Sequence, residues 1–246
     1  MEKFLDSSVA ARPIARQESH NKVMELIKEF PHGDVLDAQC GQGALAERLR
    51  DAGFNVKCCD IDLDLMKATG FENRQADLNT DKIGYLDASF DYVTSTNGLH
   101  RLYNIDNAIG EFSRVIKPGG RVVISVPNYS SIVRRMRFLL TGTISKNITK
   151  QTYLQITDAP GAHFRDVLTP VRLVRTLQAH GFTVEKTVKA RTQKRGIWLT
   201  PIACVVRFIA GIIYHKDRDL YGLAYANSAS VLLGGYHVIL VAKKSV

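Results

Sequence analysis

The 246-residue sequence is short of acid and short of thiol. Asp and Glu number 24 against 33 Lys and Arg, which leaves a net charge of +9 and a pI near 9.4. That deficit favours anionic partners: nucleic acid, a membrane surface or an acidic substrate. The only cysteines are Cys40, Cys58, Cys59 and Cys204, and no metal-ligand spacing occurs among them. No metal is therefore expected, and the thiols read as reduced, in a cytoplasmic setting. No low-complexity tract and no internal repeat is visible. The start, MEKFLDSSVAARPIARQ, lacks an apolar core of signal-peptide length, so secretion is not expected. The most apolar stretch, Ile197 to Tyr214, is broken by Pro201 and Arg207, whereas a spanning helix needs about 20 apolar residues without such breaks.

What remains is an ordinary globular composition, 45% hydrophobic and 23% charged, which suits one domain with decorations over 1–246. The centre of the chain's organisation is Asp34 to Asp62. A short apolar run, Val35-Leu36, ends in Asp37. A turn follows, Gln39-Cys40-Gly41-Gln42-Gly43. Helix formers run from Ala44 to Ala52 with Leu45 and Leu49 four apart, and Gly53 closes them. A second apolar run, Val56 to Cys59, ends at Asp60. This is a βαβ unit. Glycines at 41 and 43 let a ligand sit against the backbone, and the turn opens onto a helix N-terminus. A carboxylate at Asp60 can accept both hydroxyls of a ribose. The unit should bind a nucleoside-bearing cofactor. Gly41-x-Gly43-x-x-Ala46 with Asp60 downstream also fits the loose dinucleotide fingerprint, so a nicotinamide dehydrogenase stays open on that pattern alone.

The elements downstream narrow the choice. Asp37-Ala-Gln-Cys-Gly41-Gln-Gly43 resembles the first motif of class I S-adenosylmethionine methyltransferases, with Gln39 where that family normally has glycine. Phe90-Asp-Tyr-Val resembles its F-D-x-V strand. Arg114-Val-Ile-Lys-Pro-Gly-Gly120 resembles its R-V-L-K-P-G-G signature, and a nicotinamide dehydrogenase has no reason to carry it. His163, Pro170, the helix to His180 and Gly181-Phe182 look like the tail of ubiquinone-biosynthesis-type and related small-molecule methyltransferases. The resemblance implies an α/β fold: a doubly wound, Rossmann-like, seven-stranded sheet with an antiparallel last strand and cap insertions after strands five and six.

Expected elements are helices over Gln17–Phe30, Asp62–Thr69, Ile105–Ile116, Ile132–Leu140 and from Pro170 to His180. Strands are expected over 74–78, Phe90–Ser95, Arg121–Val126, Phe182–Val188 and Tyr236–Val241. Residues 1–16 are expected to form an N-terminal arm. Segments 128–168 and 190–235 are insertions that cap a substrate or face a membrane. His20 and His32 are expected at the surface.

The resemblance implies S-adenosylmethionine as cofactor. Asp37, Gly41 and Gly43 would hold its methionine end, Asp60 its ribose, and Ile61, Asp77 and Leu78 its adenine. Asn97 would touch the methionine part or orient an acceptor. Methyl transfer from a sulfonium is an in-line displacement, so the protein mainly positions and desolvates; an oxygen or nitrogen acceptor also sheds a proton. His163 and His100 are the candidate bases. Arg165 could hold an acidic substrate. The acceptor is expected to be a small molecule, lipidic or anionic. Two basic clusters, one of Arg134, Arg135 and Arg137 and one between Lys186 and Arg195, allow membrane-surface contact through 186–214. Nucleic acid is disfavoured, since aromatics do not interleave with these clusters and no RNA-binding module is appended. An RNA methyltransferase and a non-catalytic scaffold remain the alternatives.

Overall fold

A computed structural model describes residues 11–13, 16–144, 166–191, 198–213, 216 and 218–245. Its elements are α1 (Gln17–Ile27), β1 (Asp34–Ala38), α2 (Ala44–Asp51), β2 (Asn55–Asp60), β3 (Glu72–Gln75), β4 (Phe90–Thr96), α3 (Ile105–Val115) and β5 (Ile116–Pro127). These are followed by α4 (Ile132–Thr141), α5 (Pro170–Ala179), β6 (Phe182–Lys189), α6 (Thr200–Ile213), α7 (Leu223–Ala226), α8 (Ala229–Leu232) and β7 (His237–Lys244). The strands form one seven-stranded sheet in the order β3-β2-β1-β4-β5-β7-β6. All neighbours pair in parallel except β7, which runs antiparallel between β5 and β6.

Strand periodicity divides the core in two. Even-numbered Leu36, Val122, Ile124, Val238 and Leu240 face the layer built by α3 and α5, with Ile109, Phe112, Leu173 and Leu177. Odd-numbered Val35, Val123, Ile239 and Val241 face α1 and α2, with Val23, Ile27, Leu45 and Leu49. Both faces are covered, which is why these strands read as nearly continuous apolar runs. Near the C-terminal edge of the sheet the second face turns polar: Asp37, Thr94, Ser125 and His237 replace aliphatic residues.

The Phe90-Asp91 and Lys117-to-Gly120 motifs meet at the opposite edge. Lys117 Nζ donates to both oxygens of Asp91 at 2.9 Å and to Asp34 at 3.2 Å. A Cβ on Gly120 would lie 2.6 Å from the Asp91 carbonyl oxygen, so only glycine fits there. These family motifs are clamps between β1, β4 and β5, far from the ligand-binding edge.

Five expectations need correction. Asp62–Thr69 is not a helix: only Leu63–Leu65 makes a 3-10 turn, because the Lys67 and Ala68 amides donate to the Gln42 carbonyl instead of continuing it. The third strand is Glu72–Gln75 and ends before Asp77. Strand five starts at Ile116, before the expected Arg121, and α1 stops at Ile27. His20 is only 6% exposed, since it lies on the face of α1 that packs against the sheet.

Candidate functional site

The turn after β1 is pinned on both sides. The Gln39 and Cys40 amides donate to the Cys59 carbonyl of β2 at 2.8 and 3.2 Å. The Gly41 amide donates to Asp60 Oδ2 at 2.8 Å, and Asp60 Oδ1 accepts from Asp62 N at 3.2 Å. Gly43 is the N-cap of α2 with φ 82°, and a Cβ there would lie 2.5 Å from that of Ala68. Gln39 itself adopts φ 61°, the left-handed region in which the resembling family's glycine costs nothing. Its side chain holds the strain: Ser95 Oγ donates to Gln39 Oε1 at 2.9 Å, and the amide lies flat on Gly98.

Asp37 is 2% exposed. Thr94 Oγ1 donates to its Oδ1 at 2.8 Å, while Oδ2 is buried without a hydrogen-bond partner. Burial pushes this carboxyl up to about 7; the Thr94 bond and, more weakly, the Ala46 backbone N–H oppose the rise, and the nearby Asp60 charge adds to it. A buried acceptor with an idle oxygen, beside a second carboxylate, favours a cationic or proton-donating ligand. Asp60 keeps lone pairs beyond its two backbone bonds, and Ile61 beside it is 37% exposed. These residues fit an adenosyl group that carries a positive charge.

Asp77 sits in the turn after β3, where its Oδ1 accepts from the backbone and side chain of Asn79 at 2.9 and 2.8 Å. Leu78 is buried beside it. Thus Asp77 is an Asx-turn residue as well as a candidate adenine partner. Asn97 has φ 60° and its amide donates to the Ser125 carbonyl, which turns the side chain toward β7. His100 lies in the 3-10 turn Leu99–Arg101, and its carbonyl accepts from Asp166 N at 2.8 Å. His163 and Arg165 lie outside the described residues. Among the described residues no group of three His, Cys, Asp or Glu could hold a metal.

The structure adds residues that sequence reading passed over. Asn97 Nδ2 lies 3.0 Å from His237 Nε2, and His237 Nδ1 lies 3.0 Å from Ser19 Oγ. An amide donor on Nε2 leaves the proton on Nδ1, so His237 donates to Ser19 as a neutral imidazole. Burial, with the positive Arg16 and Arg134 nearby, lowers this histidine to about 4. Burial and Arg48 lower His20 to about 4 as well. The one available signal was His237 itself, a titratable residue just before the apolar run Val238 to Ala242.

A parallel α/β sheet with its seventh strand inserted antiparallel, and a glycine turn between two carboxylates at its C-terminal edge, defines a Rossmann-like methyltransferase fold. Residues 12–187 match a family described as a methyltransferase domain. The match covers well over half of the chain, which belongs to that family. A demethylmenaquinone methyltransferase of Renibacterium salmoninarum is 32% identical over 108 residues, 42% of this chain and 45% of the relative. A malonyl-[acyl-carrier protein] O-methyltransferase of Buchnera aphidicola is 27% identical over 141 residues, 56% of each chain. The chain thus spans about half the length of the curated relatives it matches. The structure of an S-adenosylmethionine-dependent methyltransferase from Mesorhizobium loti superposes with TM-score 0.56 at 15% identity, covering 92% of this chain and 98% of the other, a likeness of fold. The dinucleotide alternative falls with the family match and with the antiparallel β7.

Proposed function

We propose that this chain is an S-adenosylmethionine-dependent methyltransferase acting on an oxygen or nitrogen of a small acceptor. One observation carries the reading: the buried, half-satisfied Asp37 and the Gly41-bound Asp60 flank a glycine turn at neighbouring strand tips. S-adenosylmethionine is the cofactor and supplies the electrophilic methyl. Asp37, Gly41, Gly43 and Asn97 hold its methionine end, Asp60 its ribose, and Ile61, Asp77 and Leu78 its adenine. Family membership supports the cofactor, and the O-methyltransferase among the relatives supports an oxygen acceptor. His163 or His100 takes the acceptor's proton. Calorimetry with S-adenosylmethionine, its demethylated product and NAD tests it. Binding of the first two without NAD is expected; NAD binding alone would contradict it.

The acceptor is small and partly apolar. A groove of about 490 Å³ beside α4 is lined by Val133, Met136, Leu140 and Trp198. The outward face of α6 supports a peripheral position on a lipid surface through 186–214: Phe208 is 69% and Ile212 61% exposed. No helix among the described residues is long and apolar enough to cross a membrane. Flotation with anionic vesicles should recover the wild type and lose Phe208→Ser/Ile212→Ser; equal flotation of both would sink the idea.

A second reading, a non-catalytic scaffold, is favoured by one observation: Gln39 puts a side chain where the resembling family has none. Failure to bind S-adenosylmethionine in a well-folded protein would select it. An RNA acceptor stays an alternative on charge alone, tested by methylation of total RNA.

A further inference from the structure

Helix α4 carries Arg134, Arg135 and Arg137, and the first two differ in their surroundings. Arg135 ties α4 to neighbouring segments: Nε donates to the Ser130 carbonyl at 2.9 Å, Nη1 to Asn227 Oδ1 at 2.7 Å and Nη2 to the Ala226 carbonyl at 2.5 Å. Arg134 is half-buried and lacks such ties to other segments; its interactions are with Tyr129. Its guanidinium lies 4.3 Å over the Tyr129 ring, and its Nη1 is buried with no hydrogen-bond partner. Arg16 lies 4.1 Å over the Tyr236 ring. No carboxylate among the described residues pairs with either arginine. Glu18, whose charge reaches Arg16 and His237, is hydrogen-bonded by Arg191 at 3.1 Å.

A cation partly withdrawn from water without a counter-charge is a standing site for an anion. Partial burial disfavours the charged form of Arg134; its contacts with Tyr129 offset part of this, and Arg137 nearby adds to it. Both Arg16 and Arg134 act on His237, so the two cations share one patch. That patch borders the cofactor turn: His237 meets Asn97, Asn97 adjoins Gly98, and the Gln39 side chain lies on Gly98. On its other side α4 runs into the apolar groove.

We propose that Arg134, with Arg16, receives an anionic group of the methyl acceptor, a carboxylate or a phosphate, with the Tyr129 and Tyr236 rings as its walls. The assignment rests on the methyltransferase reading and deepens it. An arginine fork suits either oxyanion, and the two aromatic faces suit a planar or apolar portion beside it.

The test is calorimetry on the full chain saturated with S-adenosylhomocysteine, using benzoate and phenyl phosphate as probes and benzyl alcohol as the neutral control. At least one anion should bind tenfold or more tightly than benzyl alcohol, and the tighter one tells carboxylate from phosphate. Arg134→Gln should weaken that anion at least tenfold and Arg16→Gln several-fold, with S-adenosylhomocysteine affinity kept within twofold. Without ligand, Arg134→Gln should melt no lower than wild type, because it removes an uncompensated charge. Anions that bind no better than benzyl alcohol would overturn the assignment while leaving the cofactor reading intact. So would an Arg134→Gln variant that binds S-adenosylhomocysteine weakly but 5′-methylthioadenosine normally, since the arginine would then serve the cofactor's own carboxylate. No heat with S-adenosylhomocysteine in the wild type would fell the methyltransferase reading, and this one with it.

Discussion

The Gly41 amide donates to Asp60 Oδ2 at 2.8 Å, so the carboxylate assigned to the ribose also fixes the turn beneath the cofactor. Asp60→Ala should therefore do two things. It should abolish cofactor binding, and it should speed hydrogen exchange at Gly41 with a stability loss of about 1–3 kcal/mol, the usual cost of a charge-assisted bond. Exchange mass spectrometry checks the second effect without any ligand. Unchanged protection at Gly41 would show that the bond does not hold the turn.

Asp37 makes a pH prediction. Its folded pKa is raised to about 7 from an ordinary 3.8. A carboxyl that keeps its proton longer when folded adds stability at low pH; that contribution disappears as pH rises from about 4 to 7 and stays lost above. The loss is up to about 4 kcal/mol for a shift of this size. Asp37→Asn should remove this slope, so urea melts of variant and wild type should diverge most above pH 7, the variant being the more stable. Parallel stability curves from pH 4 to 8 would contradict the buried, proton-holding carboxyl.

Gln39 and Gly98 should be coupled. A Cβ at Gly98 would lie 2.1 Å from Gln39 Oε1. Gly98→Ala should expel the side chain and break the Ser95 bond, costing about 1 kcal/mol. In a Gln39→Gly background the same change should cost almost nothing, giving a coupling energy of about 1 kcal/mol in a double-mutant cycle. Additive effects would mean that the Gln39 side chain does not rest there.

The histidines separate binding from turnover. His163→Ala, or His100→Ala if that residue is the base, should keep cofactor affinity and lower turnover by about 10²–10⁴. A variant that loses cofactor affinity is not the base. Single-turnover kinetics beside calorimetry distinguishes the two.

The βαβ unit was legible because it rests on local signals, Asp37, two glycines and Asp60; the seven-stranded sheet with its antiparallel last strand came from the resemblance that this turn and the Lys117–Gly120 stop carry. The helix expected at 62–69 was misread because Gln42, twenty or more residues back, takes its amides. His20 was placed outside because helical spacing alone does not say how wide a face the sheet covers. The His237–Asn97–Ser19 chain joins three segments separated by up to 218 residues, and no local pattern announces it. Gln39 was visible as a departure, but its left-handed backbone and its rest on Gly98 are products of the tertiary structure.

The most direct test is calorimetric titration of wild type and Asp60→Ala with S-adenosylmethionine, with NAD as control. One site per chain in the wild type, none in the variant and no heat from NAD is the outcome required of a glycine turn set between Asp37 and Asp60. A folded wild type that ignores S-adenosylmethionine, or a variant that binds it as tightly, would contradict the assignment.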